Sequence, residues 1–179
     1  MPNNFSNISC SIASDPSTTG MDGVCTSADS RIMYVSTTGN NSTGQVYSKP
    51  SVEVGGDSFK PAGAIRPFAT YAAVFANVRN GYPDWILFKR GETFYQAIES
   101  NVRSGRSNAE PFLIGAYGSS DLSTLLKIGI KTGISITKAN CNHGTLKYIV
   151  VFDLRFCSHT RNPTDPEYID SNGGGKPGL

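Results

Sequence analysis

The chain has 179 residues, 38% of them hydrophobic and only 17% charged, with 19 glycines and ten prolines. That size suffices for one domain with a real core, and the balance suits a turn-rich, mostly β protein rather than a helical bundle. Sixteen basic and fourteen acidic side chains leave a formal charge of +2 with no basic cluster, and no apolar run approaches membrane-spanning length, so neither nucleic-acid binding nor membrane insertion is expected.

Residues 1–30 read as a polar N-terminal arm without periodicity, and "MPNNFSNISCSIASDPSTTG" has neither the charged nor the apolar region of a signal peptide. The Ser- and Asn-rich composition nevertheless suits an extracellular setting, at a cell or virion surface. "RIMYV" predicts a short strand ended by the Gly39-Asn40-Asn41 turn. Residues 42–66 form a long Gly/Ser/Pro-rich loop, of the kind that carries function or wraps a surface. From Pro67 the apolar residues Phe68, Tyr71, Phe75 and Val78 recur at spacings of three and four, which predicts an amphipathic helix of about three turns ended by Asn80-Gly81.

"DWILF" then predicts a strand covered on both faces, and "PFLIG" another. "LLKIGIKTGISIT" alternates, and in "YIVVFDLRF" Tyr148, Val150, Phe152, Leu154 and Phe156 share one predicted face, opposite Asp153 and Arg155. A doubly wound fold would need a helix between most strands, and a sandwich would need more Asn-Gly-type hairpins. What remains is a β-solenoid of about three coils, with the helix capping the first. The domain is expected over 31–157, followed by a polar Gly/Pro-rich tail, 158–179.

"YVSTTGNN", "RPFATYAAVFANV", "PDWILFKRGETF" and "PFLIGAYG", in that order, resemble the N-terminal cap and first coils of bacterial right-handed parallel β-helix proteins of the pectate-lyase-like superfamily. The resemblance covers about Arg31 to Phe156. It implies a right-handed solenoid doing extracellular work on polysaccharides, as lyases, glycoside hydrolases, epimerases and phage tailspikes do. Most middle coils, where that family keeps its catalytic residues, are absent here, so no catalytic residue carries over.

Of the residues themselves, Asp153 and Arg155 are the candidate catalytic pair, with Ca²⁺ a cofactor only if the chain is a lyase. Asp165, Glu167 and Asp170 are the acidic residues able to supply Ca²⁺ ligands; a solvated polar loop is the simpler reading, and no cofactor or metal is otherwise expected. Trp85 is expected in the core, while Tyr47, Tyr82 and Tyr168 are the aromatics available to stack on sugars.

The four cysteines, Cys10, Cys25, Cys141 and Cys157, lack metal-site spacing and allow three pairings. They are either disulfides, most simply Cys10 with Cys25 and Cys141 with Cys157, or buried thiols. A catalytic thiol would need His143 or His159 as its base.

The expected function is a non-catalytic structural or carbohydrate-associated module. The alternative is a fragment of a polysaccharide lyase or hydrolase. The last coil, Tyr148 to Phe156, should need a cover. Self-association, by arm exchange or end-to-end stacking, and fold-back of the 158–179 tail are both open to it.

Overall fold

A computed structural model describes residues 24, 26–49, 51–98, 102–134 and 146–169. Eight strands and one α-helix occur among them: β1 (Arg31–Val35), β2 (Val46–Ser48), α1 (Tyr71–Phe75), β3 (Trp85–Lys89), β4 (Thr93–Phe94), β5 (Phe112–Tyr117), β6 (Thr124–Lys127), β7 (Ile149–Val151) and β8 (Leu154–Cys157). One sheet has the order β2-β1-β3-β5-β7 and the other β4-β6-β8. All neighbours are parallel except β1 and β2, which are antiparallel.

From β3 onward the chain alternates between the sheets, and a residue in the left-handed region stands at each crossing from the five-stranded sheet to the three-stranded one. These are Gly91 between β3 and β4, Gly118 between β5 and β6, and Asp153 between β7 and β8. Glycine adopts that conformation without strain. Asp153 is anchored there instead, its carboxylate 2.7 Å from Arg90.

The five-stranded sheet is covered on both faces, as "WILF" predicts. Ile86 and Phe88 point into the larger core, shared with Phe94 and Leu126 of the second sheet. Trp85 and Leu87 point the other way, against Tyr34, Tyr47, Val54 and Phe59. The long loop after β2 therefore wraps the outer face of the sheet. It is held by Tyr34 Oη donating to Ser58 O (2.8 Å) and by Gly118 N–H donating to Phe59 O (2.9 Å). Trp85 stacks on Phe59 at 5.2 Å between centroids and is core, as expected.

The expectation of a right-handed parallel β-helix of about three coils, capped by one N-terminal amphipathic helix, is corrected. The strands form one mixed and one parallel sheet, and no amphipathic cap helix occurs among the described residues. The helix fails to reach its predicted length because the backbone of Phe68 is already spoken for. Its N–H donates to Tyr34 O (2.8 Å) and its C=O accepts from Ser36 N–H (2.9 Å), a parallel bridge beside Val35.

Helical geometry begins only after Thr70, whose hydroxyl caps Ala73 N–H. Asn77 closes the other end, its side-chain amide donating to Ala73 O (3.1 Å). Of the predicted cap residues, Tyr71 lies in the helix and is buried. Phe75 ends the helix, and Phe68 and Val78 lie outside it; all four still pack on the larger core.

The single face predicted for 148–156 is also two. Tyr148 and Asp153 both have positive φ, which breaks the alternation. Val150 and Phe152 join the outer core, while Leu154 and Phe156 join the larger one. Phe152 fits because Gly115 faces it: a Cβ at Gly115 would overlap its ring.

Candidate functional site

Two polar constellations form where residues distant in sequence converge. The first is a pocket of about 460 Å³ at the C-terminal ends of the parallel strands β1, β3 and β5. Ser36 and Thr38 follow β1, Lys89 ends β3, and Tyr117, Gly118 and Ser119 end β5. The wrapping loop supplies Lys60, Pro61, Ile65 and Pro67 as the opposite wall. In-register pairing of Lys89 with Tyr117 fixes the floor.

Glu92 stands behind this pocket. Its carboxylate accepts from Ser36 Oγ (2.9 Å) and Thr37 N–H (2.7 Å) and lies 3.4 Å from Lys89 Nζ. Lys89 is half-exposed at the rim. The Tyr117 hydroxyl is pushed well above its ordinary pKa by burial and, secondarily, by the charge of Glu92, so it remains a neutral phenol. Tyr117 is held edge-on by Tyr34 at 4.7 Å.

The second constellation lies on the second sheet. The Lys127 ammonium is 3.5 Å from Asp165 and 3.2 Å from Glu167. Tyr95 Oη donates to Glu167 Oε1 (2.9 Å), and His159 Nε2 lies 3.3 Å from Glu167 Oε2. His159 Nδ1 accepts from Gly129 N–H (3.2 Å), which places the imidazole proton on Nε2.

The surroundings of Tyr95, Lys127, Asp165 and Glu167 each favour the ordinary charge state. The hydrogen bond from Tyr95, then the bond and charge of Lys127, hold Glu167 below its usual 4.5. The N–H of Glu167, then Lys127, hold Asp165 below 3.8. Burial opposes the charge on Lys127, but the bond to Glu167 and the charge of Asp165 outweigh it and raise its pKa. The bond to Glu167 raises Tyr95. Acid–base catalysis needs the opposite, a group poised near the working pH. The constellation is a clasp that fastens 159–169 across the second sheet, and the cation its carboxylates meet is Lys127.

The sign of its pH response follows. Depressed carboxylates stabilise the clasp above their unfolded pKa values and lose that contribution as pH falls through the lower folded ones; raised Lys127 contributes below 10.5 and loses it as pH rises further. Amide exchange at Tyr168 and Ile169, corrected for intrinsic rate, should therefore accelerate below roughly pH 4 relative to β5 amides. Protection that tracks β5 across that range would contradict the clasp.

The sequence-predicted catalytic pair does not assemble into a site. Asp153 is a corner residue bound to Arg90, and Arg155 is an exposed residue of β8 opposite Leu125. Tyr47 is buried, its hydroxyl accepting from Arg66 N–H (2.7 Å), so it is no sugar platform. Tyr82 lies under the Arg79 guanidinium, 3.9 Å from the ring centroid, and Tyr168 is half-buried. Cys157 is a free, half-buried thiol; Cys10, Cys25 and Cys141, like His143 and Asp170, lie outside the described residues. No group of metal-ligating residues occurs among the described residues. On the proposed assembly edge, Tyr148 is 39% exposed, Val150, Phe152, Leu154 and Phe156 are half-buried, and among the described residues β7 and β8 end their sheets.

Sequence reasoning missed Lys60, Lys89, Tyr117 and the Lys127 clasp. The available signals were the lysines at strand ends or outward strand positions, in "LFKRG" and "LLKIG". Among the described residues no helix is long and apolar enough to cross a membrane. No protein-family model matches the chain, and no curated protein or solved structure matches it significantly. The resemblance to pectate-lyase-like proteins is thereby neither confirmed nor denied.

Proposed function

We propose that the chain is a non-catalytic, carbohydrate-associated extracellular module that grips a glycan in the pocket at the ends of β1, β3 and β5. The observation that carries this is the make-up of the pocket. Apolar side chains (Pro61, Ile65, Pro67 and the buried Tyr117) line it together with hydroxyls and ammonium groups (Ser36, Thr38, Ser119, Lys60, Lys89). Sugar rings present the same mixture of apolar C–H faces and hydroxyl edges, and the volume lies in the range of small-ligand sites.

Two features favour binding over turnover. The ten described residues that line the pocket include no carboxylate, and the nearby Glu92 is engaged by Ser36, Thr37 and Lys89. In the cluster on the second sheet, Lys127, Asp165 and Glu167 are held in their ordinary charge states. The Ser/Asn-rich, weakly charged composition supports the extracellular setting.

The test is calorimetry against a panel of neutral and acidic oligosaccharides, with product analysis in parallel. The expected result is saturable binding, weakened about tenfold or more by Thr38→Ala combined with Ser119→Ala, both exposed positions, at unchanged folding, and no new reducing ends or unsaturated sugars. Cleavage of any oligosaccharide, or binding indifferent to those substitutions, would overturn the reading.

A further inference from the structure

We infer that the pocket selects sugars that present a hydrogen-bond donor to Thr38, and that Glu92 sets this preference by fixing the direction of the hydroxyl protons between them. This rests on the glycan-binding reading above and adds the rule by which the site chooses its ligand. A carboxylate is an acceptor only, so the Ser36 hydroxyl commits its single proton to Glu92 Oε1, 2.9 Å away. The two lone pairs of Ser36 Oγ then meet Thr38 N–H (3.2 Å) and Thr38 Oγ1 (3.0 Å). Thr38 donates in the second of these bonds, because Ser36 has no proton left to give.

The consequence falls on the pocket. Ser36 is buried and its hydrogen-bonding positions are filled from within the chain. Thr38 is exposed and lines the pocket. With its proton turned back on Ser36, Thr38 Oγ1 offers a ligand lone pairs alone. A sugar hydroxyl or the N–H of an acetamido group satisfies it, whereas a fluorine or an ether oxygen in the same place sets acceptor against acceptor. Glu92 stands behind the pocket and acts through Ser36, as a positioning residue. It is held by Thr37 N–H donating to Oε2 (2.7 Å) and by Lys89 Nζ, 3.4 Å from Oε1. Gly39 N–H donates to Ser36 O (2.9 Å) and closes the turn that carries Thr38. A site built to hydrogen-bond one group of a ligand discriminates against analogues that lack it.

The experiment is an NMR titration of the intact, isotope-labelled chain. Its probes are the methyl glycosides of glucose, galactose and mannose, each with its monodeoxy and monofluoro derivatives. For at least one glycoside, replacement of one particular hydroxyl by hydrogen should weaken binding about threefold or more, and replacement by fluorine should weaken it further. That ranking marks an acceptor in the protein; a protein donor would tolerate fluorine at least as well as hydrogen. Thr38→Val should erase the differences at that ring position with the fold intact, and Thr38→Ser should keep them. Glu92→Gln should reverse them. Its amide oxygen stays on Thr37 N–H and its amide nitrogen turns to Ser36, which frees the Ser36 proton for Thr38 and the Thr38 proton for the ligand. The fluoro derivative should then bind at least as tightly as the deoxy one. Fluorine tolerated as well as hydrogen at every position of the unaltered chain, a ranking that survives Thr38→Val, or a ranking unmoved by Glu92→Gln overturns the inference and leaves the glycan reading standing. Glycosides that shift no pocket residue overturn the glycan reading, and the inference with it.

Discussion

Asp84→Ala is expected to cost about 3–5 kcal/mol of folding free energy, near the lower end because its partner is partly solvated. Asp84 is fully buried. Its two oxygens accept four hydrogen bonds: Arg31 N–H (3.0 Å), Arg79 N–H (2.9 Å), Arg79 Nε (3.1 Å) and an Arg79 terminal nitrogen (2.6 Å). Alanine leaves the Arg79 charge and two backbone donors with nothing to replace the carboxylate. The consequences spread, because Arg79 also donates to Asp29 O (2.6 Å) and covers Tyr82, and Arg106 bonds Asp29 and Glu110. This network ties the segment entering β1 to the start of β3. Urea unfolding is the check, with a lower midpoint at unchanged slope expected. Asp84→Asn, which keeps the shape and some acceptance, should lose less than Asp84→Ala. A loss below about 1 kcal/mol for alanine would mean the network does not hold the strand start in solution.

Phe88→Ala should cost a similar amount, about 3–5 kcal/mol. Its ring is fully buried, 5.1 Å from Phe94 edge-on and 6.3 Å from Tyr71 stacked. Those partners belong to the second sheet and to the helix, so one side chain joins three elements. Hydrogen exchange distinguishes a shared core from two separate ones. Amides of β5 and β6 should lose protection together in the variant. Loss confined to the five-stranded sheet would contradict a common core. Lys89→Ala, one residue on and half-exposed, should leave stability within about 0.5 kcal/mol.

The elements that sequence reading captured are those whose information is local. "WILF" and "FLIG" are uninterrupted apolar runs, and a strand buried on both faces has no other way to look. The helix was overextended for a nonlocal reason. Phe68 fits the apolar stripe, yet its backbone bonds go to Tyr34 and Ser36. The break in 148–156 was invisible because Tyr148 and Asp153, not glycines, take the positive φ values.

The pocket was illegible for a different reason. Thr38, Lys60, Lys89 and Tyr117 meet only because β1, β3 and β5 lie parallel and in register, and register is a property of the pairing, not of any one strand. The clasp likewise joins Tyr95, Lys127, His159 and Glu167 across three separate stretches of chain. What the sequence did convey, lysines at strand ends beside glycine turns, marks position without naming partners.

The most direct test of the account is an NMR titration of the isotope-labelled chain with a bound oligosaccharide, recording protein shifts and ligand integrity in the same tube. The account predicts shift changes concentrated at Ser36, Thr38, Lys60, Lys89 and Tyr117 to Ser119, with the ligand spectrum unaltered over a day. Changes centred instead on Tyr95, Lys127 and Glu167, or new ligand signals from a cleaved chain, would contradict it.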